Sequence, residues 1–205
     1  MNTQSYHLLI YQVPSQPSAA RVSIWRELKR IGALYLQQSV CILPTTEPLL
    51  HALQKISERI TELDGNYHLL PLTTLPEEEE RKIIEGFVAQ SNLQYDEIIE
   101  NCEVNFAKEI EFETFRQNFT YAEAEEIRQE LDKIRRWYER VVERDWFSAG
   151  RRDEAWRCIE HCEKLFEAFE EKVFLQQEAD ESNDLLPETK KKRLHPRRSE
   201  RRETP

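Results

Sequence analysis

Cys158, His161 and Cys162 are the one cluster in this 205-residue sequence with metal-ligand chemistry. The two cysteines, at i and i+4, meet on one helix face. A zinc site wants a second ligand pair at a short fixed spacing, and none appears. Cys162 lies in an apolar stripe and Cys158 borders it beside Ile159. The plain reading is therefore two small hydrophobes in a core; the sharper one is a metal or redox role. With Cys41 and Cys102 far away in sequence, the four cysteines read as reduced thiols rather than a disulfide framework. His7, His51, His68, His161 and His195 are dispersed, and no Ser-His-Asp or Cys-His arrangement follows from their spacing. The acidic runs Glu77–Glu80 and Glu123–Glu126 read as solvated helix starts, whereas a hydrolytic acid pair needs burial. Four glycines, Gly32, Gly65, Gly86 and Gly150, stand too far apart for a phosphate-cradling loop. No catalytic residue, metal or cofactor is expected.

Cations are the other residues that could do chemistry, here by binding anions. Arg26, Lys29 and Arg30 lie at i, i+3 and i+4 in one helix, with Arg21 a turn before Trp25. The sharp reading is a phosphate-binding face; the plain one is a solvated helix surface with Glu27 beside it. Residues 190–205 carry eight Lys/Arg against two Glu, among them Lys190, Lys191, Lys192, Arg193, Arg197 and Arg198. Such a tail contacts phosphates in a salt-dependent way, or simply solubilises a terminus. It holds no aromatic residue for stacking on bases. Arg135 and Arg136, then Asp145 and Trp146, then Arg151 and Arg152 surround a helix–loop–helix corner. They read as an anion site or as an interdomain contact, with Trp146 and Phe147 packed on the sheet and Asp145 paired to an arginine.

Elements must position these groups, and the apolar spacing places them. Tyr6–Val13 is a strand rich in aromatic and aliphatic residues, stopped by Pro14. Ser18 can cap a helix over 19–31 with Val22, Trp25, Leu28 and Ile31 as its buried face, closed by Gly32. Two short strands, 33–36 and 39–43, form a hairpin about Gln37-Gln38. Thr45 or Thr46 opens a second helix with apolar Leu49, Leu50, Leu53, Ile56 and Ile60, and Tyr67–Leu72 is a fourth strand. The order β-α-β-β-α-β is the ferredoxin-like unit. Its second sheet face is left for the following helices or a partner chain.

After Pro76 all is helix. Ile84, Phe87, Tyr95, Ile98, Cys102 and Phe106 mark one long helix or two stacked ones, with Gly86 and Ser91-Asn92 as kink sites. Thr120 with Glu123 is a capping box. Ile127, Leu131, Ile134, Tyr138 and Val141, and then Ile159, Cys162, Phe166, Phe169 and Val173, are two heptad-like stripes that predict an antiparallel helical hairpin. The expected class is α+β: a ferredoxin-like domain over 1–75, a helical domain over 76–178, and a disordered tail over 179–205.

The net charge of −10 divides unevenly: the tail's +6 leaves −16 on residues 1–189. The body repels nucleic acid at long range and the tail attracts it. No signal peptide or bilayer-spanning run is visible, which makes a cytoplasmic location the default expectation, with no membrane partner.

With its segments placed, the sequence resembles the N-terminal region of the chromate resistance protein ChrB family over about residues 6–175. The similarity rests on HLLIYQVP, on RVSIWRELKRIGALYLQQSVCILP (21–44), on FVAQSNLQYDEII (87–99) and on RRWYERVVERDWF (135–147). The first block is also similar to the Cas2-like ferredoxin fold of PaaX-type repressors, where such a unit mediates dimerisation. The resemblance implies a non-enzymatic regulator linked to chromate or oxidative stress, acting as a homodimer on duplex DNA, with Arg21, Arg26, Lys29 and Arg30 as the contacts carried over. In the full-length pattern a second, sensor-like domain begins where this sequence has its basic tail. A protein–protein module docking a basic partner on the acidic helices is the alternative. A Cas2-like metal-dependent nuclease is a further one, but it wants an acid at the end of the first strand, where Gln12-Val13-Pro14 stands.

Overall fold

A computed structural model describes residues 4–184 apart from 15 and 17. The chain runs β1 (Tyr6–Gln12), α1 (Ser18–Arg30), β2 (Leu34–Gln37), β3 (Val40–Pro44), α2 (Glu47–Glu62) and β4 (Asn66–Leu72), then α3 (Glu77–Glu100), a π-helical segment (Asn101–Phe106), α4 (Ala107–Arg116), α5 (Tyr121–Val142) and α6 (Arg152–Asp184). The sheet order is β2-β3-β1-β4 with every neighbouring pair antiparallel, the arrangement expected of the ferredoxin-like unit.

One sheet face is closed locally. Leu9, Tyr11, Cys41 and Leu43 pack against Ile24 and Leu28 of α1 and against Leu49, Leu53, Ile56 and Ile60 of α2. Thr46 starts α2 by accepting the Leu49 N–H, with Pro48 in the first turn. The buried face of α1 is Ala20, Ile24 and Leu28, whereas Val22 and Trp25, expected inside, are 41% and 47% exposed. Two apolar stripes compete on this helix. The stripe that carries Ile24 and Leu28 is the one that packs against the sheet and α2.

Gly32 ends α1 in the left-handed conformation (φ 76°), and Ala33 N–H closes onto the Leu28 carbonyl at 3.0 Å. The hairpin turn falls on Gln38-Ser39, one residue later than expected. Gln37 pairs with Val40 after an irregularity at Leu36, and Ser39 takes the positive φ of 62° that an Asn-Gly turn would have supplied.

The opposite face of the sheet is closed from a distance. Tyr6, Leu8, Leu34 and Ile42 meet Ile83 and Phe87 of α3 together with Trp146 and Phe147. Ile83, not Ile84, is the buried member. Gly86 lets α3 approach β2, since a Cβ there would lie 2.9 Å from Leu34. β4, an edge strand, is exposed along most of its length and carries Pro71.

The helical body has its own core of Tyr95, Ile98, Cys102, Phe106 and Ile110 against the stripes of α5 and α6. Ile98, Cys102, Phe106 and Ile110 recur every four residues. On an α-helix each such step drifts about 40° around the axis. The π segment, with its wider turn, cancels the drift and keeps all four on the core. The irregularity therefore lies at 101–106 rather than at Gly86 or Ser91-Asn92.

Along the hairpin, Arg128 pairs with Glu170 and Arg135 with Glu163, so seven residues forward on α5 are seven back on α6, and the two helices are antiparallel. α6 continues through residues 179–184, which the sequence pattern assigned to the tail. Glu178, Ala179 and Glu181 are good helix formers, and Gln176 bonds to Asp180 one turn on. The basic stretch from Lys190 to Arg202 lies outside the described residues. No described helix is long and apolar enough to cross a membrane.

Candidate anion-binding face and the domain junction

Helix α1 presents its cations in two directions. Arg21, Arg26 and Arg30 are exposed, and none makes an ion pair among the described residues. Glu27, the carboxylate beside them, is engaged by Arg59 of α2 at 3.0 Å. Lys29, expected on the same outer face, turns inward: its Nζ donates to Gln90 Oε1 at 3.1 Å and sits 5.5 Å from the Tyr35 ring centroid. Burial pushes the Lys29 ammonium below its ordinary range, and the neighbouring Arg144 guanidinium adds to this.

Beside Arg21 lies an open groove of about 620 Å³ between the start of α1, the end of β1 and the β2–β3 turn. Val22 and Trp25 form its apolar wall, Gln37 and Gln38 its polar rim. At its floor the Tyr11 and Tyr35 hydroxyls bond to each other at 3.0 Å. An exposed tryptophan one turn from an unpaired arginine offers a ring for stacking and a charge for a phosphate.

Most of the residues around the α5–α6 corner are tied up in structure. Arg135 pairs with Glu163, its Nε at 2.7 Å, and Arg151 pairs with both Asp96 and Glu154. Arg136 is exposed without an ion pair among the described residues. Asp145 makes no ion pair with an arginine among the described residues. It accepts from the Tyr95 hydroxyl at 3.2 Å and from the Ala149 N–H at 3.0 Å, closing the loop that leads into α6. Burial and the Asp145 carboxylate together hold the Tyr95 hydroxyl far above its ordinary range. Trp146 and Phe147 pack on the sheet as expected. A Cβ on Gly32 would lie 2.8 Å from Arg144 Cβ and 2.9 Å from Trp146 Nε1, so the end of α1 and the hairpin corner touch directly.

Two further groupings were not visible from spacing. Glu109, Glu113 and Glu123 bring carboxylate oxygens within 4.8 Å of one another at the α4–α5 corner. Asn118 donates to Glu113 at 2.6 Å and to Glu123 at 3.1 Å, and Arg116 sits 3.4 Å from Glu113. This network closes the corner after Gln117, which is left-handed. Thr120 caps α5 through the Glu123 N–H, while the Glu123 carboxylate serves Asn118. Beside it runs a groove of about 520 Å³ lined by Glu109, Glu123, Glu126, Glu130 and Lys133.

The second grouping is of thiols. Cys162 is buried, Cys158 half-buried and His161 exposed, so the sequence trio does not converge. Cys102, from the π segment, joins Cys162 instead.

A split β-α-β-β-α-β sheet braced by a helical hairpin, with arginines on its first helix that make no ion pair among the described residues, defines an α+β protein. Residues 21–180 match the family described as "Protein ChrB, N-terminal", and the chain belongs to that family; it is a chromate-resistance-related protein. The match takes in most of α1, the hairpin corner and nearly all of α6. No curated protein matches the chain.

Proposed function

We propose that this chain is a regulatory or stress-response protein without catalytic activity that contacts duplex DNA as a dimer, through the outer face of α1 and the basic stretch 190–202. The observation that carries this reading is the set Arg21, Arg26 and Arg30: three exposed cations on one helix with no carboxylate partner among the described residues. An unpaired surface guanidinium is free to replace counterions on a phosphate, whereas a paired one must first give up its partner. The local charge at α1 opposes the acidity of the rest of the body, so binding depends steeply on salt.

A second reading rests on the acidic groove at Glu109, Glu123, Glu126 and Glu130, which complements a basic protein segment.

Fluorescence anisotropy of labelled duplex DNA at two salt concentrations separates the two. The full chain, a truncation after Gln177, and the triple variant Arg21→Glu/Arg26→Glu/Arg30→Glu are compared. Binding that survives truncation and is lost in the triple variant supports DNA contact by α1. Absence of binding in every form at physiological salt removes it and leaves the protein-docking reading.

A further inference from the structure

Three of the four cysteines converge where the π segment meets α6. Cys162 donates its thiol to the Cys102 carbonyl at 3.8 Å, across sixty positions of sequence, and both side chains lie in the core of the helical body. Each is 1% exposed. Cys158 lies one turn before Cys162, half-buried, with its sulfur 4.0 Å from the carboxylate of Glu103, the residue after Cys102. Cys41 is the contrast: it is fully buried in the sheet core, with none of the other three cysteines in its cluster.

A thiol packed only as a small hydrophobe has carbon neighbours. Cys102 instead has its backbone carbonyl against the thiol of Cys162, and it sits in a π-helical segment. A π turn at such a position is a recurrent mark of functional sites.

We propose that Cys102 and Cys162 form a reversible dithiol–disulfide pair, with Cys158 as the thiol that meets the oxidant first. The oxidant is a peroxide. Cys158–SH reacts with it to give the sulfenic acid Cys158–SOH and one molecule of water. The Cys102 thiol attacks that sulfur, forming a Cys102–Cys158 disulfide and releasing a second water. Cys162, in contact with Cys102, then displaces Cys158 by thiol–disulfide exchange, leaving a Cys102–Cys162 disulfide and a free Cys158 thiol. In sum, two thiols lose two hydrogens and two electrons to the peroxide, which becomes two waters.

The Cys102 and Cys158 thiols are held above their ordinary range: at Cys102 by the neighbouring Cys162 and then by burial, at Cys158 by burial and then by the Glu103 carboxylate. Thiolate is therefore scarce at neutral pH, and reaction with peroxide is slow. The disulfide ties the π segment to α6 and closes a loop across α4 and α5, which constrains the unfolded chain.

The test uses the full chain, reduced, then treated with hydrogen peroxide, quenched by alkylation under denaturing conditions, digested and mapped by mass. The expected result is a linked peptide pair carrying Cys102 and Cys162 that dithiothreitol separates, with Cys41 recovered as an alkylated thiol and a higher melting temperature for the oxidised protein. Cys158→Ser slows formation of this link at least tenfold without changing its identity. Cys102→Ser abolishes it and leaves Cys158 overoxidised. Because linkage is mapped in the unaltered protein, a variant that folds poorly does not obscure the answer. Recovery of both Cys102 and Cys162 as free thiols after peroxide treatment overturns the pair, and an unchanged rate in Cys158→Ser overturns the role of Cys158. Neither outcome bears on DNA contact by α1.

Discussion

The arginines of α1 and three arginines of the α5–α6 hairpin and its corner stand in different electrostatic states. Arg128, Arg135 and Arg151 each hold a carboxylate from another helix. Arg21, Arg26 and Arg30 hold none among the described residues, because the one acid within their helix, Glu27, is taken by Arg59. A cation that already closes a helix pair serves the fold, and one without a partner is free to meet an outside anion. Exposure alone does not separate them; the partner list does.

That distinction requires α1 to be held against the rest of the molecule, and the largest effects test the holding. Phe87→Ala removes the ring that closes the second sheet face and is expected to destabilise the protein by about 3–5 kcal/mol in urea unfolding. Loss of less than about 1 kcal/mol would mean that the sheet stands without α3.

Gly32→Ala forces a side chain into a left-handed position and against Trp146, and an expected cost of about 1–2 kcal/mol follows from the backbone alone.

The triple α1 variant is expected to weaken duplex DNA binding by about tenfold or more, near 1.4 kcal/mol, while its melting temperature stays close to that of the parent. In the matching hairpin variant, Arg128→Ala/Arg135→Ala, the pattern reverses: DNA affinity is unchanged and stability falls by about 0.2–1 kcal/mol per pair. Equal effects of the two variants on DNA would erase the contrast.

The smallest effect concerns the acidic corner. Burial, and then repulsion from Glu113, Glu126 and Glu109, raises the Glu123 carboxyl above its ordinary range. A raised acid binds its proton more tightly in the folded state, so stability falls as pH rises from the ordinary carboxylate range through the folded value. Urea melts of Glu123→Gln at several pH values should show a flatter dependence over that window than the parent.

Where burial follows a single clear period, the sequence was readable. Every apolar position assigned to the α6 stripe, Ile159 to Val173, is buried, as are four of the five on α5. The strand order, the Thr46 and Thr120 caps and the packing of Trp146 and Phe147 followed from local chemistry. Helix α1 was misread because Val22 and Trp25 offer a second apolar stripe, and only the shape of the sheet beneath decides between them. A four-residue repeat fits either a drifting α-helix or a π turn, so the segment 101–106 was invisible without its neighbours. The inward turn of Lys29, the Tyr95–Asp145 bond and the meeting of Cys102 with Cys162 each join residues at least fifty positions apart. No local pattern carries them.

Pro71 bears on how copies of this chain meet. β4 is the sheet's open margin, and an open margin invites another strand to add to it, the first step in runaway assembly. A proline there offers no N–H to an incoming strand and breaks the run of bonding groups near the end of β4. Edge-to-edge growth along β4 is thereby discouraged.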